Sequence, residues 1–204
     1  MSNTFLEKAY ALSTPEKTQA LYDAWAATYD AEISDNGYAT PGRTARLLAR
    51  HLRDTELPVL DFACGTGLSG LALKLVGIPV IDGMDISPEM LDCARRKAVY
   101  RDLICIEADD PTPVAQNVYA AITAIGAIGP GAAPVETIGM AMRALPPGGL
   151  FAFSLNDIAL QDPQYEAQLS DWLDCGAARL LAREHGPHLP GRNIKANVYI
   201  VEKA

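Results

Sequence analysis

The segment Val59–Gly70, V-L-D-F-A-C-G-T-G-L-S-G, constrains the fold more than any other part of the chain. Its first residues, Val59 and Leu60, are typical of the end of a buried strand. Gly65 and Gly67 predict a tight turn, and the apolar residues that follow begin a helix. A strand, a glycine turn and a helix N-terminus together form a cradle for a ligand. The segment therefore predicts an α/β fold with a ligand site at this turn.

Residues Gly65 to Gly70 satisfy the G-x-G-x-x-G pattern of dinucleotide-binding turns. However, Asp61 precedes the glycines, where a carboxylate repels a pyrophosphate but suits a positively charged ligand. A long segment also precedes the strand, and the remaining chain is short for a hydride-acceptor domain. S-adenosylmethionine (SAM), which carries a sulfonium and an ammonium, fits this turn better than a dinucleotide.

The fuller pattern Asp61-x-Ala63-x-Gly65-x-Gly67 resembles motif I of class I SAM-dependent methyltransferases, in which an acidic residue precedes three spaced glycines. Ala63 replaces the first glycine, and its methyl group is a small intrusion. The resemblance implies SAM as the cofactor and S-adenosylhomocysteine (SAH) as its product, with these four residues at the cofactor. The alternative is a glycine-rich turn without a ligand.

Composition sets limits on the fold and on the partners. The chain has 204 residues, 49% of them apolar, which suits one α/β domain with a good core. The formal net charge of -8 argues against nucleic acid or an anionic membrane as the main partner. The four cysteines form no C-x-x-C pair, so we expect reduced thiols in a cytoplasmic protein and no metal site. No secretory signal or membrane span is predicted.

Strands and helices alternate after Pro58, which favours a parallel sheet. Four further parallel strands are predicted at residues 79–85, 103–108, 118–125 and 150–155. Residues 179–183 and 197–202 alternate like an antiparallel hairpin. The expected fold class is α/β, with a doubly wound, mostly parallel seven-stranded sheet of the Rossmann-like kind, a C-terminal hairpin and an N-terminal helical lid. We divide the chain into a lid, residues 1–55, and a core, residues 56–204.

Asp85 is the main candidate for contact with the nucleoside. It ends the second strand, eighteen residues after Gly67, where a carboxylate accepts two ribose hydroxyls in nucleotide-binding α/β folds. The alternative is a helix cap, but Ser87 and Pro88 already cap the next helix. Ile86 would then lie beside the adenine.

The family resemblance extends the site. In class I methyltransferases an acidic residue after the third strand accepts the adenine amino hydrogen, and Asp109 matches because it follows the strand more directly than Asp110. The alternative for Asp109 is a capped polar loop. Ala108 and Ile125, near the ends of the third and fourth strands, complete the expected cofactor contacts.

Residues 22–30, Y-D-A-W-A-A-T-Y-D, are dense in aromatic side chains. They predict either a helix docked on the core or a lid over the cradle. A similar Y-D-x-x-A-x-x-Y-D segment in many small-molecule methyltransferases favours the lid and implies Tyr29 near the methionine end of SAM. In the next predicted helix, Arg43 belongs to the solvated face or reaches a ligand carboxylate.

The loop at residues 126–134 follows the fourth strand and contains almost no polar side chain. The N-P-P-Y and D-P-P-Y signatures of base-amine and glutamine methyltransferases are absent, which disfavours nucleic acid and protein glutamine as acceptors. A long hairpin loop is predicted over residues 185–192. Its His185 and His188 are either surface residues or bases beside the acceptor, so no catalytic residue is identified.

Taken together, the motifs between about residue 20 and 175 resemble the methyltransferase-like group known from the Williams–Beuren syndrome critical region. The predicted function is transfer of a methyl group from SAM to a small-molecule acceptor by in-line displacement. A SAM- or SAH-binding regulator without activity and an NAD-dependent oxidoreductase are the alternatives.

Overall fold

The computed structural model describes Phe5, Lys8 and residues 15–53, 57–108, 110 and 113–204. Its strands are β1 (Val59–Phe62), β2 (Ile81–Asp85), β3 (Asp102–Cys105), β4 (Ala121–Ala124), β5 (Leu150–Asn156), β6 (Ala178–Leu189) and β7 (Ile194–Lys203). They form one seven-stranded sheet in the order β3-β2-β1-β4-β5-β7-β6. Strands β1 to β5 are parallel, and β7 runs antiparallel to both β5 and β6. The predicted fold class is confirmed.

The helices of residues 15–204 are α1 (Pro15–Trp25), α2 (Tyr29–Asp35), α3 (Thr40–His51), α4 (Leu68–Leu75), α5 (Pro88–Lys97), α6 (Glu136–Ala144) and α7 (Gln164–Asp174). Helix α5 begins as its sequence predicts, since the Ser87 Oγ accepts the Met90 N–H at 3.1 Å. Among the described residues, no helix combines the length and the apolar character needed to cross a membrane.

The sheet is covered on both faces. Alternate strand residues point to opposite sides, so Val59 packs with α3 and α4, whereas Leu60 packs with α6 and α7. Strands β1, β2 and β4 are buried over their whole length, as parallel strands between helical layers are. A third apolar cluster joins the lid helices to α5 and β6 through Trp25, Ile33, Met90 and Leu189.

Two parallel strands are shorter than their apolar runs. The strand predicted at residues 103–108 pairs only over Asp102–Cys105, and the one predicted at 118–125 pairs only over Ala121–Ala124. Hydrogen-bonded register with the neighbouring strands, rather than hydrophobicity, sets these limits. Residues beyond Cys105 and Ala124 are therefore available to line a site at the carboxyl end of the sheet.

The prediction of a long hairpin loop at residues 185–192 is wrong. Strand β6 continues to Leu189, and only a single 3-10 turn, Pro190–Arg192, connects it to β7. Gly186 and Pro187 suggest a loop, but β6 is the outermost strand, where a missing N–H and a register irregularity are tolerated.

Candidate cofactor-binding cavity

A cavity of about 750 Å³ lies at the carboxyl ends of β1, β2 and β4. Its volume falls in the range of sites that enclose small molecules. Lid residues Thr18, Tyr22 and Tyr29 line the cavity, as does much of the loop at residues 126–134. The topology reverses between β1 and β4, which is where ligands bind in open α/β sheets.

The glycine turn presents backbone to this cavity. Gly65 has a positive φ of 53°, and a Cβ built there would meet nothing within 4 Å. Gly67 has a different role, since its Cβ would lie 3.0 Å from the Tyr100 ring. Gly67 therefore permits close packing behind the turn and does not line the cavity. Ala63 does line it, with a φ of 53° that suits the glycine usual in the motif.

The Asp85 carboxylate connects the glycine turn to the start of α5. Its two oxygens accept the backbone N–H groups of Gly65 at 2.8 Å and Ser87 at 2.9 Å. The residue is only 8% exposed but lines the cavity, and burial raises its pKa to about 6. Each oxygen retains a lone pair, so this carboxylate can accept two hydroxyl hydrogens from a diol. Asp85 thus has both the position and the acceptors that a bound nucleoside needs.

Asp61 lies beneath the turn and does not line the cavity. It is fully buried and accepts hydrogen bonds from the Ser69, Tyr100 and Thr123 hydroxyls at 2.6, 2.7 and 2.8 Å. Burial raises its pKa, and the three donors act against that shift. The geometry makes Asp61 a support that fixes the turn against α4 and β4.

The lid lies directly against the glycine turn. Tyr29 lines the cavity and packs edge-on against Trp25, with ring centroids 4.6 Å apart. The next residue, Asp30, accepts the Thr66 hydroxyl at 2.5 Å and the Lys97 ammonium at 2.6 Å. Lys97 also donates to the Thr66 carbonyl at 2.6 Å, so one lysine connects lid, turn and α5.

The remaining predicted cofactor contacts surround the same cavity. Ile86, Ala108 and Ile125 all line it. Asp109 lies outside the described residues, while its neighbours Glu107 and Asp110 are on the cavity wall.

Several lining residues come from segments to which the sequence assigns no role. Tyr38, between α2 and α3, donates its hydroxyl to the Ile125 carbonyl at 3.3 Å. Glu136 and Tyr165 reach the cavity from α6 and α7. Tyr38 stands in a recognisable turn, but nothing in the sequence shows that it reaches β4. Helix periodicity alone marks Tyr165 as a core residue.

Two predictions about charged or titratable side chains need correction. His188 is not a surface residue: it is 5% exposed, and its Nδ1 lies 2.8 Å from the Thr40 hydroxyl. Burial and the nearby Arg43 lower the pKa of His188 to about 4. Arg43 itself is neither simply solvated nor directed at the cavity, because it donates to the backbone oxygens of the β6–β7 hairpin.

Comparison with known proteins identifies related sequences. Residues 59–149 match a family described as a methyltransferase domain. Human methyltransferase-like protein 27 is 30% identical over 165 residues, which cover 78% of this chain and 66% of that protein. The ribosomal protein L11 methyltransferase of Aeromonas salmonicida is 29% identical over 140 residues, covering 63% of this chain and 46% of that protein. This chain thus spans less than two thirds of either relative's length.

Solved structures with the same fold carry different activities. A structure described as the [4+2]-cyclase SpnF has a TM-score of 0.66 at 16% identity, covering 94% of this chain and 97% of its own. Geranyl diphosphate methyltransferase in complex with SAM has a TM-score of 0.59 at 13% identity, covering 80% and 85%. At these identities the likeness concerns the fold alone. The sequence matches and the fold agree with the motif: residues 59–149 of this chain match a methyltransferase domain.

Proposed function

We propose that this protein binds SAM in the cavity and transfers its methyl group to a small-molecule acceptor. The observation that carries the proposal is the Asp85 carboxylate, buried at the end of β2, bonded to the Gly65 turn and open to the cavity. A nucleoside ribose is a diol, and a fixed carboxylate with two available lone pairs accepts both of its hydroxyls.

The chain's residues divide into a ribose contact, an adenine wall and a methionine end. Asp85 accepts the ribose hydroxyls, and Ile86 and Ala108 provide an apolar wall for the adenine, with Asp109 as the acceptor of its amino hydrogen. Gly65 allows close backbone approach, and Tyr29 covers the methionine end. Asp61 and Gly67 act indirectly, by holding the turn. The sulfonium of bound SAM supplies a methyl carbon that is already activated.

The protein's contribution to the chemistry is positioning. The loop at residues 126–134 lies at the end of β4, beside the expected cofactor contact Ile125. The N–H groups of Gly129, Ala132 and Ala133 bond within the loop, that of Ala133 to the Ala127 carbonyl at 2.8 Å. An acceptor held against this wall gains proximity to the methyl carbon, which supplies on the order of 7–11 kcal/mol of barrier lowering.

A small molecule fits the geometry better than a macromolecule. The lid helices and the 126–134 loop both line the cavity, and the net charge of -8 disfavours nucleic acid. One relative is named as a methyltransferase of ribosomal protein L11, so a protein is the alternative acceptor that the experiments must distinguish from a small molecule.

Two experiments test the proposal. Calorimetric titration with SAH, SAM and NAD is expected to show binding of the first two and none of NAD, because the Asp61 carboxylate beneath the glycine turn disfavours a pyrophosphate. Incubation with methyl-labelled SAM and a library of small acceptors then separates an enzyme from a SAM-binding regulator. Binding without label transfer to any acceptor would favour the regulator, and transfer only to a protein would contradict the acceptor class.

A further inference from the structure

The cavity wall contains a tyrosine whose hydroxyl has no hydrogen-bond partner among the described residues. Tyr165, in the first turn of α7, is 5% exposed and lines the cavity. Its ring packs in the main core cluster, yet its hydroxyl makes no hydrogen bond within the described residues. The hydroxyl is accessible from the cavity and is not one of the buried unsatisfied groups of the described chain, so a ligand in the cavity can bond it.

A carboxylate lines the same cavity. Glu136 begins α6 and forms no ion pair or side-chain hydrogen bond in the described part of the chain. Helices α6 and α7 pack against each other, and Glu136 and Tyr165 both lie in the first turn of their helices. Burial, Asp162 and Glu136 raise the pKa of the Tyr165 hydroxyl. The two groups offer oxygen acceptors to one ligand atom that carries hydrogens.

The charge of the cavity favours a basic ligand. Its described lining contains four carboxylates, those of Asp85, Glu107, Asp110 and Glu136, and one guanidinium, that of Arg143. An acceptor with its own carboxylate would be repelled by Glu136. An alcohol would need a strong base, and none of the described lining residues is a histidine.

We propose that the methyl acceptor is a small primary or secondary amine, whose nitrogen is held between the Tyr165 hydroxyl and the Glu136 carboxylate. This inference rests on the proposed function. The amine enters as an ammonium ion and gives one proton to the Glu136 carboxylate, and this exposed residue passes the proton to solvent. The freed nitrogen lone pair forms the new N–C bond while the C–S electron pair stays on sulfur, giving SAH with an uncharged sulfur and a methylated ammonium product.

The test uses methyl-labelled SAM with four matched panels built on the same carbon skeletons: amines, alcohols, thiols and carboxylic acids. Label is expected in the amine panel. For the best amine, Glu136→Gln should lower kcat/KM about tenfold, since it removes the charge and the proton acceptor. Tyr165→Phe should lower it about fivefold, since it removes one hydrogen bond to the nitrogen. Both variants should bind SAH within about twofold of the wild type, because neither residue contacts the nucleoside.

The matched control variants remove a tyrosine hydroxyl and a glutamate charge from residues outside the cavity. The Tyr119 hydroxyl bonds Asp82, and Glu184 pairs with Arg50, both away from the cavity. Tyr119→Phe and Glu184→Gln should leave kcat/KM unchanged.

Preferential labelling of alcohols, thiols or acids overturns the amine assignment, as does labelling of no panel by protein that binds SAH. Equal kcat/KM in the wild type, Glu136→Gln and Tyr165→Phe overturns the roles of these residues. Loss of SAH binding in the wild type would instead overturn the proposed function.

Discussion

Asp85 shows how burial adjusts one carboxylate for binding. It accepts two backbone N–H groups, yet burial raises its pKa from 3.8 to about 6. In the proposed function a diol donates hydrogen bonds to the ionised form, so ligand binding and proton binding would compete at this residue. Affinity for the nucleoside should therefore depend on pH.

We expect SAH affinity to be constant above pH 7 and to fall about tenfold between pH 7 and pH 5, because one proton must leave Asp85 for the carboxylate to accept both hydroxyls. Calorimetry across this range measures the slope. In Asp85→Asn, which has no proton to lose, the decrease should disappear. An equal decrease in the variant would show that another group is responsible.

Ala63 is a second residue with a testable property, because its backbone conformation lowers the free energy of unfolding. Its φ of 53° is left-handed, a conformation that costs an alanine about 1–2 kcal/mol and a glycine almost nothing. After subtraction of the larger unfolded-state entropy of glycine, Ala63→Gly should raise the free energy of unfolding by about 0.5 kcal/mol. Denaturant titration measures the change.

The matched control is Ala72→Gly, inside helix α4, which should lower the free energy of unfolding by about 0.5–1 kcal/mol. If Ala63→Gly destabilises the protein as much as Ala72→Gly does, backbone strain at the turn is not the explanation.

At the scale of elements, the lid is connected to the core by polar contacts as well as by its aromatic side chains. Asp30 on α2, Thr66 in the glycine turn and Lys97 on α5 form one hydrogen-bonded group. The Lys97 side chain is 16% exposed and that of Asp30 is 43% exposed, so solvent screens the ion pair only in part. This group holds the lid against the turn.

Lys97→Met should therefore speed dissociation of SAH about tenfold, equivalent to about 1.4 kcal/mol less resistance to lid opening. Stopped-flow displacement of SAH measures the rate. Lys74→Met is the control, since Lys74 bonds only the Pro79 carbonyl on the exposed side of α4. An unchanged rate in Lys97→Met would show that the lid does not control release through this contact.

The elements also show why some boundaries could be predicted and others not. The β1 turn and the end of β2 follow local patterns of apolar residues, glycine and aspartate, and the structure places them as expected. Strand β6 is longer than predicted because its Gly186 and Pro187 are acceptable only at the sheet edge. An edge position depends on topology, which a local pattern does not contain.

At the scale of the whole molecule, the cavity combines segments that are far apart in sequence. Tyr38, Ile125 and Tyr165 come to line one cavity only after the sheet has formed, so sequence patterns could identify the glycine turn through motif I but not Tyr38 or Tyr165. The same holds for His188, which hairpin packing buries against Thr40.

Ligand binding should stabilise this assembly as a unit. SAH at 100 times its dissociation constant should increase the free energy of unfolding by about 2.7 kcal/mol. For a chain of this length, that increase raises the melting temperature by about 6 °C. Thermal unfolding followed by circular dichroism measures the shift, with NAD at equal concentration as the control. A higher melting temperature with NAD but not with SAH would contradict the assignment of SAM as the ligand.

The most direct test of the account is calorimetric titration of SAH into the wild type and folded Asp85→Asn at pH 7.5. If Asp85 holds the ribose, the variant should bind SAH about thirtyfold more weakly, equivalent to loss of about 2 kcal/mol of charge-assisted hydrogen bonding. Equal affinity of the two proteins for SAH would contradict the claim that this cavity binds SAM through Asp85.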